Sequence, residues 1–391
     1  MNRRIPAPTQ KGGQSISFDS APDDRARQAE CSRQEAIQDT RQFRTKRQFK
    51  SMSIPVFKPS IKRRDMHSVL SCLVTDEIGP SALADKLTEV VSNYFNLPGG
   101  LALREYSRAV WLSMNALKLK EGDEAIISPL APLTYLEAIV SQGIRPIFVD
   151  VNENDACLNP FLVAEKMNPA VKVIFVHAPL GRVPPDLSQF GIPIVLDLSE
   201  ALGIADSRGI PIAGGTYIIL SMEPRAIATC GGGALILAHD ETSLTQLKVA
   251  ARSLGEDSLL PDLNASLGLV QWEELPLALE SRDEIYRIFS KSLDKGRHGV
   301  LSVADENSRA VAFSFPVTLS TAVREVNSYA RKMGVETRGA FLDAIIEAYP
   351  EVQKHCPKAK KLAMSTILFP LYPTLGKKNV QLISRLLSTL P

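Results

Sequence analysis

The chain lacks most of the features that announce a specialised class. No apolar stretch reaches the roughly 18 residues that a membrane-crossing helix needs, and no apolar core follows the basic N-terminus as it would in a secretion signal. Neither an anchor nor export is therefore expected, and the protein reads as cytoplasmic, with no membrane partner. Cysteine is scarce: Cys31, Cys72, Cys157, Cys230 and Cys356 are odd in number, widely scattered and without a CxxC pair. That pattern points to reduced thiols and argues against a zinc or redox centre. There is no P-loop, and no metal site is expected. What the chain does have is length, 391 residues, and 45% hydrophobic content. That is enough to bury one large core and a smaller one, and it excludes disorder throughout.

Charge is unevenly placed. Residues 1–51 hold eleven Lys/Arg against six Asp/Glu, which leaves the remainder slightly acidic. This leader has neither aromatic interleaving nor an amphipathic period, so no nucleic-acid or membrane role is assigned to it and it reads as a disordered, solvated extension. Met52-Ser53-Ile54-Pro55-Val56 resembles a natural start.

From residue 108 onward, strand-like and helical segments alternate with short loops, the pattern of a mainly parallel sheet covered by helices. Strands are expected at 124–128, 146–150, 171–177, 193–197, 216–220 and 233–238. Each is a near-continuous apolar run, as strands buried on both faces should be. Helical composition marks 108–119, 133–142 and a long stretch from 263 to 293 in which Pro276 imposes a kink. The last hundred residues read as a smaller α+β lobe, with a strand at 310–315, helices around 321–333 and 339–348, and a closing helix after Gly376.

One stretch carries a chemical signature. The apolar run Pro193 to Leu196 ends in Asp197, and beyond the next strand comes Ser221-Met222-Glu223-Pro224-Arg225-Ala226-Ile227-Ala228-Thr229-Cys230-Gly231-Gly232-Gly233. A carboxylate at the carboxyl end of a buried strand can face a pyridine nitrogen, and a lysine beyond the following strand can form a Schiff base with an aldehyde. Asp197 supplies the first part. For the second there is no candidate, since no lysine lies between Lys172 and Lys248.

The ordered landmarks resemble the DegT/DnrJ/EryC1/StrS family, the sugar aminotransferase branch of fold-type-I pyridoxal-phosphate (PLP) enzymes. They run Ile54-Pro55-Val56-Phe57-Lys58-Pro59, Leu119 to Glu124, Gly143 to Asp150, Val176-His177-Ala178-Pro179-Leu180-Gly181, Asp197-Leu198-Ser199-Glu200-Ala201-Leu202-Gly203, Cys356 to Ala359 and Pro370 to Leu375. The resemblance covers about residues 52–391. It implies a three-layer αβα large domain with a mainly parallel sheet, like that of aspartate aminotransferase, over 52–293, and a small C-terminal α+β domain over 294–391. It also implies a homodimer, PLP or pyridoxamine phosphate (PMP) as cofactor, and amino transfer to a nucleotide-linked keto-sugar in surface polysaccharide or amino-sugar biosynthesis.

Carried over residue by residue, the resemblance gives Asp197, Glu200, Ser107, Arg108, Ser221 and Arg225 as the cofactor-binding set, with departures that cluster on the chemistry. Asp197 matches the aspartate facing the pyridine nitrogen. Glu200 stands where the family has glutamine, and Leu202 where it has histidine. Arg225 stands at the Schiff-base lysine; a guanidinium is protonated at any physiological pH and is not an imine nucleophile, so no catalytic residue is assigned. Tyr106-Ser107-Arg108-Ala109 replaces a Ser-Gly-Thr phosphate cup. Leu220 takes the place of a phosphate-binding serine, with Ser221 one residue away. Asp257 aligns with the asparagine that reaches the partner's phosphate. The ring-stacking aromatic falls on Pro132 or Leu133, or on Tyr135 if the register slips. His177, alone at a strand end, reads as structural.

Three readings follow. The first is a catalytically degenerate homologue. The second is a divergent aminotransferase or dehydratase with noncovalent cofactor. The third is a non-enzymatic scaffold that binds an anion or nucleotide-sugar.

Overall fold

Apolar side chains on both faces of short strands force a sheet to be covered twice, and this sequence supplies them. In the computed structural model, residues 53–74, 76, 78–294, 296–301 and 308–391 are described; the expected leader, 1–51, lies outside them. Among the described residues eight strands precede residue 240: β1 Gly99–Leu103, β2 Glu124–Ile127, β3 Arg145–Phe148, β4 Val171–His177, β5 Ile194–Asp197, β6 Ala205–Asp206, β7 Tyr217–Ser221 and β8 Ala234–Ala238. Seven of them form one sheet in the order β1-β8-β7-β5-β4-β2-β3. The pairs among β3, β2, β4, β5 and β7 are all parallel, and β8 runs antiparallel to both of its neighbours.

Successive residues feed opposite faces. Ile174 and Val176 of β4, Leu196 of β5 and Leu235 of β8 join one buried cluster, while Val173, Phe175, Val195 and Ile236 join the other. Helices close both sides, which gives the three-layer α/β arrangement the sequence implied. Among the described residues no helix is long and apolar enough to cross a membrane, and no group of three or more His, Cys, Asp or Glu is placed to hold a metal.

The C-terminal part carries a second, antiparallel sheet. Its strands are β9 Gly299–Val300, β11 Phe315–Thr318, β12 Arg338–Gly339 and β13 Thr366–Phe369, in the order β12-β13-β11-β9. A third apolar cluster around Phe289, Phe315 and Phe369 packs beneath it. β10, Ser308–Arg309, pairs with β6. Residues Ile54–Pro391 form one compact unit.

Three sequence expectations need correction. The stretch 263–293 is two helices, Asp262–Glu273 and Leu275–Leu293, because Pro276 falls in the first turn of the second, where its missing N–H costs nothing. The strand expected at 310–315 begins only at Phe315. Ahead of it, Val311 N–H donates to Gly181 O (2.9 Å), and the buried Arg282 Nη1 donates to the carbonyls of Ala312, Phe313 and Leu371. A guanidinium thus takes the carbonyls that a neighbouring strand would have paired. The helix expected at 339–348 shrinks to Ile345–Ala348, because Ala340 N–H bonds to Thr366 O and residues 343–346 bond to the loop over 129–133. There, Leu133 N–H donates to Asp343 O (2.9 Å) and Ile345 N–H to Ala131 O (3.0 Å).

Candidate functional site

In an open parallel sheet, ligand sites collect at the carboxyl ends of the strands. Three neighbouring strands here end in polar side chains: β4 in His177, β5 in Asp197 and β7 in Ser221, with His177 in register beside Asp197. A cleft opens nearby. Its polar lining is His177, Glu200, Arg225, Arg338 and Asp343, and its apolar walls include Phe57, Pro132, Phe341 and Leu368.

Arg225 rides on a tight loop between β7 and β8. Met222 N–H donates to Gly233 O (2.8 Å), Cys230 N–H donates to Met222 O (3.0 Å), and the Thr229 hydroxyl also donates to Met222 O (2.9 Å). Gly233, at φ +99°, is required at the loop's end: a Cβ there would lie 2.5 Å from Leu260 Cδ1 and 2.8 Å from Leu103 O. The loop aims the guanidinium at the C-terminal part. Nη1 donates to Asp343 Oδ2 at 2.7 Å, Arg338 Nη2 reaches the same oxygen at 2.6 Å, and Arg225 Cζ sits 5.9 Å from the centroid of Phe57. Burial would raise the Asp343 carboxyl pKa, but the bonds and charges of Arg225 and Arg338 outweigh it and hold the group below its ordinary range.

Glu200 is fixed from behind by Leu180 N–H, which donates to Oε2 at 2.8 Å, and His177 Nε2 stands 3.9 Å from the same oxygen. Nε2 is buried and has no hydrogen-bond partner. The fixed charges of the cleft balance, two guanidinium groups against two carboxylates.

Asp197 is differently engaged. It is 1% exposed, and each oxygen is committed. Oδ1 accepts from Ser199 N–H at 2.9 Å; Oδ2 accepts from the Tyr135 hydroxyl at 2.9 Å and from the Tyr106 hydroxyl. Tyr106 opens the helix Tyr106–Ala116, and Tyr135 lies on the helix Leu133–Ser141. Their rings meet edge to face (6.1 Å, 76°), and Tyr135 meets Phe175 the same way (5.3 Å, 63°). Burial, and then the charge of Asp197, push both phenols well above their ordinary range, so they stay protonated donors.

Of the six residues singled out in the sequence, the cleft gathers Glu200 and Arg225. Asp197 is not among its lining residues. Ser107 and Arg108 stand exposed on the first turn of Tyr106–Ala116, just after Glu105, to which the Ser107 hydroxyl donates at 3.2 Å. The Glu105 side chain makes no bond to the helix N–H groups, but its carboxylate beside that helix start disfavours a second anion there. Ser221 is held within the loop: its N–H donates to Ser199 Oγ (2.8 Å) and its Oγ accepts from Glu223 N–H (3.3 Å). Asp257 lies in the short turn Glu256–Ser258. Sequence reasoning passed over Arg338 and Asp343, for which no local signal exists, and met Phe57 only within a family landmark. It treated His177 as structural although its strand-end place was visible, and it met Tyr106 only as a departure from a motif.

A model of the DegT/DnrJ/EryC1/StrS aminotransferase family matches residues 59–388. GDP-perosamine synthase of Escherichia coli O157:H7 is 23% identical over 353 residues, covering 84% of this chain and 95% of that one. The dTDP-4-amino-4,6-dideoxy-D-glucose transaminase of Shigella dysenteriae is 23% identical over 300 residues, covering 70% and 81%. Among solved structures, the PLP form of the putative sugar aminotransferase Spr1654 from Streptococcus pneumoniae superposes with a TM-score of 0.78 at 19% identity, covering 86% of this chain and 98% of that one.

Proposed function

Because the chain belongs to the DegT/DnrJ/EryC1/StrS aminotransferase family, we propose that it is a catalytically degenerate homologue of the nucleotide-sugar aminotransferases, one that keeps their scaffold as a binding site and not as a site of aldehyde chemistry. The observation that carries this reading is Arg225. It stands at the lysine's place in the sequence, and its guanidinium is tied to Asp343 at 2.7 Å. An imine needs a neutral amine at that point, and lysine also moves the proton that amino transfer requires. Neither role falls to a guanidinium held in an ion pair.

The residues present do not fit the cofactor as they stand. A pyridine ring over Asp197 would have to displace the phenols of Tyr106 and Tyr135, and a phosphate at the start of Tyr106–Ala116 would meet Glu105. The same observations weigh against noncovalent PMP, which also needs Asp197.

The cleft is better suited to a sugar. Arg225 and Arg338 offer donors, Glu200 and Asp343 offer acceptors, and Phe57 and Phe341 offer apolar faces to the C–H side of a pyranose. A nucleotide-sugar ligand, a homodimeric assembly and a cytoplasmic setting belong to the same proposal.

GDP-mannose and dTDP-glucose are the probes. At a concentration a hundredfold above Kd, a ligand adds about 2.7 kcal/mol, which for a chain of this size is a rise of roughly 3 °C in Tm. Such a rise is expected with at least one of the two, and none with pyridoxal phosphate. Formation of an amino sugar from a nucleotide-linked keto-sugar and glutamate would overturn the reading.

A further inference from the structure

A buried carboxylate at the ligand edge of a sheet must be paired or hydrogen-bonded, because an unpaired one costs several kcal/mol. Asp197 meets that requirement from within the chain. Ser199 N–H serves one oxygen and two phenols serve the other. Tyr106 comes from 91 residues away and Tyr135 from 62, so no local turn explains the cluster. Both rings have aromatic neighbours that fix their tilt, and Tyr106 is anchored as the first residue of its helix. Both phenols remain protonated and spend their one O–H on Asp197.

We propose that Tyr106 is an internal plug: with Tyr135 it gives Asp197 the hydrogen bonds that a protonated ring nitrogen would otherwise give, and its ring closes the space before Asp197 to planar nitrogen heterocycles. This goes beyond the loss of the lysine and holds whatever stands at position 225. The closed site also explains why the scaffold needs no cofactor to stay satisfied at its sheet edge.

Removing the ring should open the site. Tyr106→Ala leaves a ring-sized space with Asp197 on its wall one donor short, which water enters unless a matching molecule displaces it. The ligand class it should then take is a small cationic heteroaromatic, and imidazole at neutral pH and pyridoxine serve as probes, with benzene as the neutral control. None of these can form an imine, so the outcome is independent of Arg225 and of the function proposed above.

Isothermal titration and thermal shift on the full chain read the result. The unmodified protein is expected to bind neither imidazole nor pyridoxine below the millimolar range. Tyr106→Ala is expected to bind imidazole at least tenfold more tightly than the unmodified protein, and Asp197→Asn added to Tyr106→Ala should remove that gain. Tyr106→Leu carries the same comparison if Tyr106→Ala does not fold. The proposal is overturned if the unmodified protein binds pyridoxine in the micromolar range, a result obtainable without any variant. It is equally overturned if the opened variant takes benzene as readily as imidazole, or takes neither.

Discussion

Asp197→Ala is expected to lower the stability of the protein, with no cofactor present, by about 3–5 kcal/mol, the usual cost of removing one member of a buried, hydrogen-bonded cluster. Two phenol hydroxyls and the Ser199 N–H lose their acceptor together, at a position 1% exposed, where water cannot replace it without opening the packing. Asp197→Asn should cost about half as much. Its amide oxygen can still serve both tyrosines, but its NH2 then faces the Ser199 N–H, donor against donor. The comparison is diagnostic. An aspartate kept only to face a cofactor would leave the free protein little changed when removed, and its loss would be felt in ligand affinity alone. Urea unfolding of the three proteins separates the two cases, and a loss below about 1 kcal/mol for Asp197→Ala would contradict a structural role.

Arg282→Ala should be comparably damaging, by about 3 kcal/mol, or roughly 4 °C in Tm. Arg282 is 5% exposed, burial pulls its guanidinium down to about 10, and it still holds its charge at neutral pH to serve three carbonyls at once. Those carbonyls belong to the crossing segment at 312–313 and to Leu371, two pieces of chain that must meet for the C-terminal sheet to form. Arg282→Lys should recover only part of the loss, because one nitrogen, Nη1, serves all three carbonyls, and the shorter lysine stem brings its ammonium less far while a compact ammonium is costlier to desolvate than a guanidinium. Thermal unfolding of both variants tests this, and a lysine variant as stable as the parent would show that charge alone suffices.

Much of the fold was legible because buried parallel strands leave a simple trace. The run from Val171 to His177 is apolar on both faces and was matched residue for residue. The Gly-rich stretch after Cys230 marked the loop that carries Arg225. Strand β1 was missed. Among the named strands it pairs with β8 alone, at the sheet's edge, and its Gly-Gly start reads as a turn. Local composition misled at 339–348, where good helix formers are drawn out into pairing with residues 129–133, an energy available only after the chain has folded back. The site divides along the same line. A carboxylate at the end of β5 follows from sequence, whereas its partners Tyr106 and Tyr135, and the Asp343 that holds Arg225 from 118 residues away, are set by tertiary contact. No periodicity or spacing encodes such pairs.

The central claim, that this family scaffold has given up aldehyde chemistry, is tested most directly by the absorbance spectrum of the full-length protein equilibrated with pyridoxal phosphate, passed through gel filtration, and read before and after borohydride. The account predicts the spectrum of protein alone, unchanged by reduction. A stoichiometric visible imine band that survives filtration and is lost on borohydride treatment would contradict it.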